Sequence, residues 1–281
     1  MQYKAMTYLL VDNGSLRPES VLNLRRLARM LSERSGCTVE PASLLHSSKI
    51  DAERLEGIPA VNFERRLRLG LEAGERAFTV IPFFFGPTAA ITDYMAERIA
   101  YRRAKHGDFS ISRTSFLAGE VDQPDTGYLV EILADRVREA MRDRGWNQPR
   151  VALVDHGSPK REVTRIRDLL ATRLETDLGD EVSGVCATSM ERRPGPEFAF
   201  NEPLLETLLC QEGWCNREVI VAMQFLSPGR HAGPSGDVAK ICEAAGHEHP
   251  QLQTAMTALM GTHPLILELL LARLNGPRYA L

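Results

Sequence analysis

The sequence predicts two tandem α/β domains, each with a mainly parallel four-stranded sheet flanked by helices, and three observations lead there. The first is an internal duplication, which fixes domain organisation without help from propensities. Leu10-Val11-Asp12-Asn13-Gly14-Ser15 recurs 143 residues later as Leu153-Val154-Asp155-His156-Gly157-Ser158, with one substitution. The segment from Pro82 through Phe85, Gly86 and Pro87 to Ile99 runs without gaps against Gln224 through Ser227, Pro228 and Gly229 to Ile241, at an offset of 142, and Leu117-Ala118-Gly119 meets Leu259-Met260-Gly261 at the same offset. The second observation is that short apolar runs alternate with helical periodicity, the pattern of parallel strands joined by right-handed crossovers. The third is size: 281 residues suit two modest domains. The copies join near Trp146 to Arg150, which gives domains over residues 1–146 and 147–281.

In the first copy an apolar run from Ala5 to Val11 ends at Asp12, and helices are expected near Glu19–Glu33, Arg65–Ala73, Ala89–Lys105 and Tyr128–Arg142. In the second, Val151–Val154 is a short continuous apolar strand. The helix Arg161–Leu174 follows, with Val163, Ile166, Leu169, Leu170 and Leu174 at helical spacing. Strands at Val182–Thr188, Glu218–Phe225 and Thr254–Met260 alternate with helices at Pro203–Cys210 and Gly236–Ala245, and a last helix runs from about Pro264 to Leu274.

Composition excludes several classes of function. Hydrophobic residues at 43% and charged residues at 25% are those of a globular, soluble chain. A net charge of −3 gives no electrostatic footprint for nucleic acid or an anionic membrane. The only basic residue before the first apolar run is Lys4, no small-residue cleavage pattern follows, and the longest apolar stretch, Leu265 to Ala272, is broken by Glu268, so a cytoplasmic chain that does not cross a membrane is expected. Cys37, Cys186, Cys210, Cys215 and Cys242 form no CxxC pair and read as apolar filling rather than ligands. Neither GxGxxG after the first strand nor GxxxxGK[ST] occurs, which disfavours those modes of nucleotide binding.

In doubly wound sheets ligands sit beyond the carboxyl ends of the strands. Four such positions stand out in the second copy: His156, Glu191, His231 and His263, after its first to fourth strands. Imidazoles with a carboxylate suit Fe(II), Co(II), Ni(II) or Zn(II), whereas Ca(II) and Mg(II) prefer oxygen cages. The matching or nearby positions of the first copy read Asn13, His46, Ala89 and Val121. A site used once persists in one copy and decays in the other, so a single site is expected in the C-terminal copy. His46 is either a polar contact to that site or a surface loop residue. Ser158 lies beside His156, but Ser15 survives where no such base exists, which favours a turn or helix cap. His247 and His249 read as a solvated loop able to bind adventitious metal.

His156-Gly157-Ser158 after the opening strand, Phe225-Leu226-Ser227-Pro228-Gly229-Arg230-His231 after the third, and Leu259-Met260-Gly261-Thr262-His263-Pro264 before a leucine-rich helix together resemble the CbiX/SirB family of sirohydrochlorin chelatases, across both copies. The resemblance implies two Rossmann-like lobes facing each other across a cleft. It also implies a lyase that inserts a divalent metal, Co²⁺ or Fe²⁺, into sirohydrochlorin or a related tetrapyrrole of the cobalamin or siroheme pathways without a nucleotide; the same ligands accept Ni²⁺. By motif position His156 and His231 match the paired catalytic and metal-holding histidines, and Glu191 the acidic residue on the second strand. Because the substrate is rimmed with carboxylates, Arg230, Arg192, Arg193 and Lys160 are either its anchors or solvated surface, with Ser158 beside them. In long two-domain members the histidine pair can lie in the N-terminal half, where this chain has Asn13 and Ala89. The first copy also carries extra residues, Glu120 to Asp125. A duplicated chain supplies both halves by itself, so a monomer suffices. The alternative to an enzyme is a metal or tetrapyrrole carrier on the same fold.

Overall fold

The apolar run ahead of Asp12 becomes strand β1 (Thr7–Asp12) in the computed structural model, which describes residues 6–281; Lys4 and Ala5 lie outside the described residues. Helix α1 (Pro18–Ser35) begins with a proline, whose missing N–H costs nothing in a first turn, and ends at Gly36 in the left-handed conformation. β2 (Val39–Ser43) and α2 (Phe63–Glu72) follow, the latter capped by Asn62, whose side chain accepts from the Arg65 N–H. After β3 (Ala77–Pro82) the helix expected over Ala89–Lys105 opens with a π-helical stretch, Ala90–Met95, and continues as α3 (Ala96–His106). β4 (Ser110–Thr114) leads to the extra residues, which form a short hairpin, β5 (Gly119–Glu120) and β6 (Gln123–Pro124), and then to α4 (Gly127–Arg144).

The second copy repeats the order: β7 (Arg150–Asp155), α5 (Arg161–Leu178), β8 (Val185–Ser189), the five-residue α6 (Leu205–Leu209), β9 (Glu218–Met223), α7 (Asp237–Glu248), β10 (Gln253–Met256) and α8 (Leu265–Asn275). α7 runs past Gly246 and so absorbs His247. It stops at His249, which precedes Pro250 and, as the residue before a proline, is kept out of the helical conformation. β10 ends earlier than expected because the Thr257 hydroxyl, not a backbone carbonyl, accepts the Met223 N–H at 3.0 Å. An unpredicted strand, β11 (Arg278–Ala280), closes the chain.

Two sheets result. The order β10-β9-β7-β8 is wholly parallel and four-stranded, as expected. The other, β11-β4-β3-β1-β2, has five strands rather than four because β11 adds antiparallel to the edge of β4. Central strands β1, β3, β7 and β9 read Leu-Leu-Val, Val-Ile, Val-Ala-Leu-Val and Val-Ile-Val-Ala, almost fully buried, the signature of sheets covered on both faces.

The chain divides into two compact units, one of residues up to Asp125 with Leu267–Leu281, the other Thr126–Ile266. The expected boundary at 146/147 separates the sequence copies; the units divide the chain elsewhere. α4, the last helix of the first copy, lies on the second unit, where Asp135 pairs with His263 and Arg138 with Asp177 and Glu181. The last residues of the second copy lie on the first unit: Arg273 binds Asp125 and the Leu117 carbonyl. Among the described residues no helix is long and apolar enough to cross a membrane, and the cysteines are free.

Candidate active site

The repeated loop after the first strand is built identically in both copies. Gly14 and Gly157 adopt φ of 87° and 88°, and a Cβ on either would meet a carbonyl oxygen, that of Leu45 at 1.8 Å or of Glu191 at 1.9 Å. Only glycine admits both the backbone conformation and the approach. The Glu191 N–H donates to the His156 carbonyl as the Leu45 N–H does to that of Asn13. Glu191 therefore corresponds to Leu45, and His46 stands one residue further on, exposed, with φ of 63°. In both copies the motif serine turns the chain into the helix: Ser15 Oγ accepts from the Arg17 N–H and Ser158 Oγ from the Lys160 N–H. That is the turn role expected of Ser158, whose own N–H donates to Asn201.

Beneath the loop of the second copy lies a polar network that the sequence reading missed. Asp155 is buried; its Oδ1 accepts from the Gly157 N–H at 3.0 Å and from Ser189 Oγ at 2.5 Å. Arg167, 2% exposed, donates to Ser189 and to the Asn201 carbonyl, with its guanidinium 4.0 Å from Asp155. Burial pushes the Asp155 carboxyl up while Ser189 and Arg167 pull it back. The signal in the sequence was a charged residue at position 167, inside the apolar stripe of Ile166, Leu170 and Leu174. In the first copy the equivalent position is Leu24, and Asp12 is raised by burial to about 6.

Upon this platform the structure brings three of the four strand-end residues together. The rings of His156 and His231 lie 4.5 Å apart, inclined at 52°, and His156 Nε2 is 3.2 Å from Glu191 Oε1. His156 Nδ1 faces the Gly157 carbonyl at 3.1 Å, and only an N–H can bond there. In the neutral ring the lone pair is then on Nε2, aimed at a carboxylate oxygen. Two acceptors at 3.2 Å need a positive charge between them, either a proton or a metal cation. His231 Nδ1 is 2.8 Å from Asp237 Oδ2, so it donates to that carboxylate and leaves Nε2 as its ligand atom, an arrangement typical of metal-binding histidines. Lys240 and His231 hold the Asp237 carboxyl below its ordinary range.

Asp237 was absent from the expected site because Gly236-Asp237 reads as a helix start. Its counterpart in the gap-free alignment is Met95, so the first copy lacks both the ligand and its support, with Asn13, Leu45, Ala89 and Met95 in their places. His263 is not with the others. It is 6% exposed, its Nδ1 accepts from the Leu265 N–H at the start of α8, and its Nε2 lies 3.4 Å from Asp135. Burial, with Arg136 nearby, pushes its pKa down. Of the basic candidates, Arg230 is exposed and 3.5 Å from Asp237. Arg192 is taken up by Glu202 and the carbonyls of Arg193 and Gly195, and Arg193 lies over the Phe198 ring.

Residues 150–276 match the family model described as CbiX. The C-terminal copy is thus similar to the CbiX family. The CbiX match spans β7 to α8 and contains the whole cluster just described. The fold is that of solved chelatase structures. SirB from Bacillus subtilis with Fe³⁺ is 16% identical, with a TM-score of 0.64 over 96% of this chain and 94% of that one. SirB from Bacillus subtilis subspecies spizizenii in complex with cobalt is 16% identical, with 0.66 over 96% and 93%. CbiX described as the terminal enzyme of siroheme biosynthesis in denitrifying bacteria is 12% identical, with 0.60 over 96% and 97%. No curated protein matches the chain.

Proposed function

We propose that this chain is a chelatase of the CbiX type that inserts Co²⁺ or Fe²⁺ into sirohydrochlorin, or a macrocycle closely like it, without a nucleotide. The observation that carries the reading is the meeting of His156, Glu191 and His231, two imidazole nitrogens and a carboxylate left facing an acceptor-rich gap. A divalent cation is the substrate that satisfies such a gap, and the solved relatives carry iron or cobalt in their descriptions.

Metallation exchanges two pyrrole N–H protons for one M²⁺, so the site must surrender a cation and accept protons. His156 and His231 hold the metal through Nε2, and an imidazole nitrogen that gives up a metal can take a proton in its place. Glu191, exposed beside His156, takes up the second proton or passes it to water. Asp237 keeps the proton of the neutral His231 ring on Nδ1, so the Nε2 lone pair faces the cation. The three ligands leave coordination positions open, which transfer to the ring requires. Arg230, exposed beside Asp237, would meet a carboxylate on the rim of the macrocycle.

The test is anaerobic absorbance spectroscopy of sirohydrochlorin with Co²⁺ or Fe²⁺, comparing the parent, the His156→Ala/His231→Ala double variant and no protein. Faster metallation by the parent alone supports the assignment. A spectral shift on binding without acceleration overturns the enzymatic reading in favour of a carrier. Metallation by the double variant at the parent rate moves the site elsewhere.

A further inference from the structure

At the amino end of its sheet, opposite the strand ends that carry His156 and His231, the second unit gathers another set of ligand atoms. Cys210 follows α6, Cys215 stands three residues before β9, and Glu248 and His249 end α7, which has returned from the carboxyl end. One ligand atom each of Cys210, Glu248 and His249 lies within 4.8 Å of the others. Cys210 Sγ is 3.9 Å from Glu248 Oε2, and His249 Nε2 is 4.0 Å from Glu248 Oε1. The His249 Nε2 atom is buried and makes no hydrogen bond, which leaves its desolvation uncompensated. Its backbone is fixed on both sides, the N–H donating to Ala245 and the carbonyl accepting from Leu252. The residue expected in a solvated loop is thus held with a bare ring nitrogen facing a thiol and a carboxylate.

We propose that Cys210, Glu248 and His249 form a second metal site, for a late first-row divalent cation such as Zn²⁺ or Co²⁺, distinct from the strand-end site. Thiolate, imidazole and carboxylate together select these ions over Mg²⁺ and Ca²⁺. Bonds of about 2.0–2.3 Å in a tetrahedron hold ligand atoms roughly 3.5 Å apart, so side-chain movements of about 1 Å close the set, and the exposed Glu248 is free to make them. Burial, Glu248 and Cys215 all push the Cys210 thiol up; a cation reverses that balance, the thiol proton leaves to water, and affinity rises with pH. The bound ion would tie the end of α7 to the turn before β9.

The experiment uses the full chain carrying His156→Ala/His231→Ala, titrated anaerobically with Co²⁺ and read at the near-ultraviolet thiolate-to-cobalt charge-transfer absorption, which an imidazole and carboxylate site does not give. One equivalent with that absorption is expected, and adding Cys210→Ser or His249→Gln should abolish it or weaken binding at least tenfold with the circular dichroism unchanged. Absence of the band from the folded double variant, or its full retention in Cys210→Ser, overturns the proposal. A second readout needs no variant: Zn²⁺ should slow alkylation of Cys210 in the parent chain at least tenfold, and an unchanged rate overturns the site. Because Cys210→Ser on the parent background is expected to keep the parent metallation rate, failure here and failure of the chelatase reading are separate results.

Discussion

At the scale of single residues, the second copy differs from the first less in its visible ligands than in what lies behind them. His231 owes its tautomer to Asp237 and His156 owes its own to the Gly157 carbonyl. Replacing Asp237 by Asn keeps an acceptor but removes the charge that stabilises the ring when it is protonated or bound to metal. Losing such a partner typically costs 10–100-fold in metal affinity or activity, so Asp237→Asn should slow metallation by at least tenfold and displace its pH profile, while the thermal midpoint stays near that of the parent. Buried aspartates tell the same story in stability. Asp155 has Arg167 beneath it; Asp12 has Leu24, and its pKa is raised to about 6. The folded state therefore holds a proton on Asp12 between about pH 4 and 6 that the unfolded chain has lost, and stability falls as pH rises through that window. Full ionisation above it costs about 3 kcal/mol. Asp12→Asn should raise the denaturation midpoint at pH 7.5, leave it nearly unchanged at pH 4, and flatten the slope between; a variant less stable than the parent at pH 7.5 would contradict this account.

At the scale of elements, the loop that joins strand to helix is the part of the duplication that both copies keep most closely. Its glycine, its serine turn and the backbone pairing to the loop after the second strand are common to both copies, which is why the sequence motif was so legible. A loop whose φ is fixed near 88° and whose Cα lies under a carbonyl tolerates no other residue, so the signature survives where the chemistry does not. Gly157→Ala and Gly14→Ala should each destabilise their own unit by more than about 1 kcal/mol, seen as a lower denaturation midpoint. Only Gly157→Ala should also reduce metallation under native conditions, because the group it displaces is Glu191. Equal loss of activity from the two variants would show that this loop geometry matters only for folding. Other elements were less legible. β11 is three residues long and follows a proline, too short for any period to appear, and α7 overran its expected end because Gly246 weakens a helix without stopping it. Arg167 was readable in principle, as a charge inside an apolar stripe. Asp237 was not, since an acid in a first helical turn is ordinary for helix stability alone.

At the scale of the whole chain, the repeat and the compact units do not coincide, and periodicity has no means of showing that. Amphipathic patterning says that α4 and α8 each have a face to bury, but not which sheet receives it. The structure seats α4 with the second unit, through Leu129, Ile132, Leu133 and Val137, all buried, and through its pairs with His263, Asp177 and Glu181. It seats the C-terminal segment with the first unit, where Arg273, the pairing of β11 with β4, and Arg34 with Glu268 hold it. Four leucines of that segment, Leu267, Leu269, Leu270 and Leu274, are at most 6% exposed. At about 1.5–3 kcal/mol for each buried leucine their burial is comparable to the entire stability of a domain, about 5–15 kcal/mol. A chain ending at Ile266 should therefore lose the cooperative unfolding of its first unit while the second remains folded. Fragments separate the two descriptions more sharply. Residues 126–266 keep α4 on their sheet and are expected to fold alone, with dispersed amide resonances and a cooperative thermal transition. Residues 147–281 follow the sequence copy, expose the sheet face that α4 covers and carry a C-terminal helix with nothing to bury it against. That fragment is expected to aggregate or remain molten. If it instead folds as cooperatively as 126–266, the copy rather than the compact unit is the folding domain.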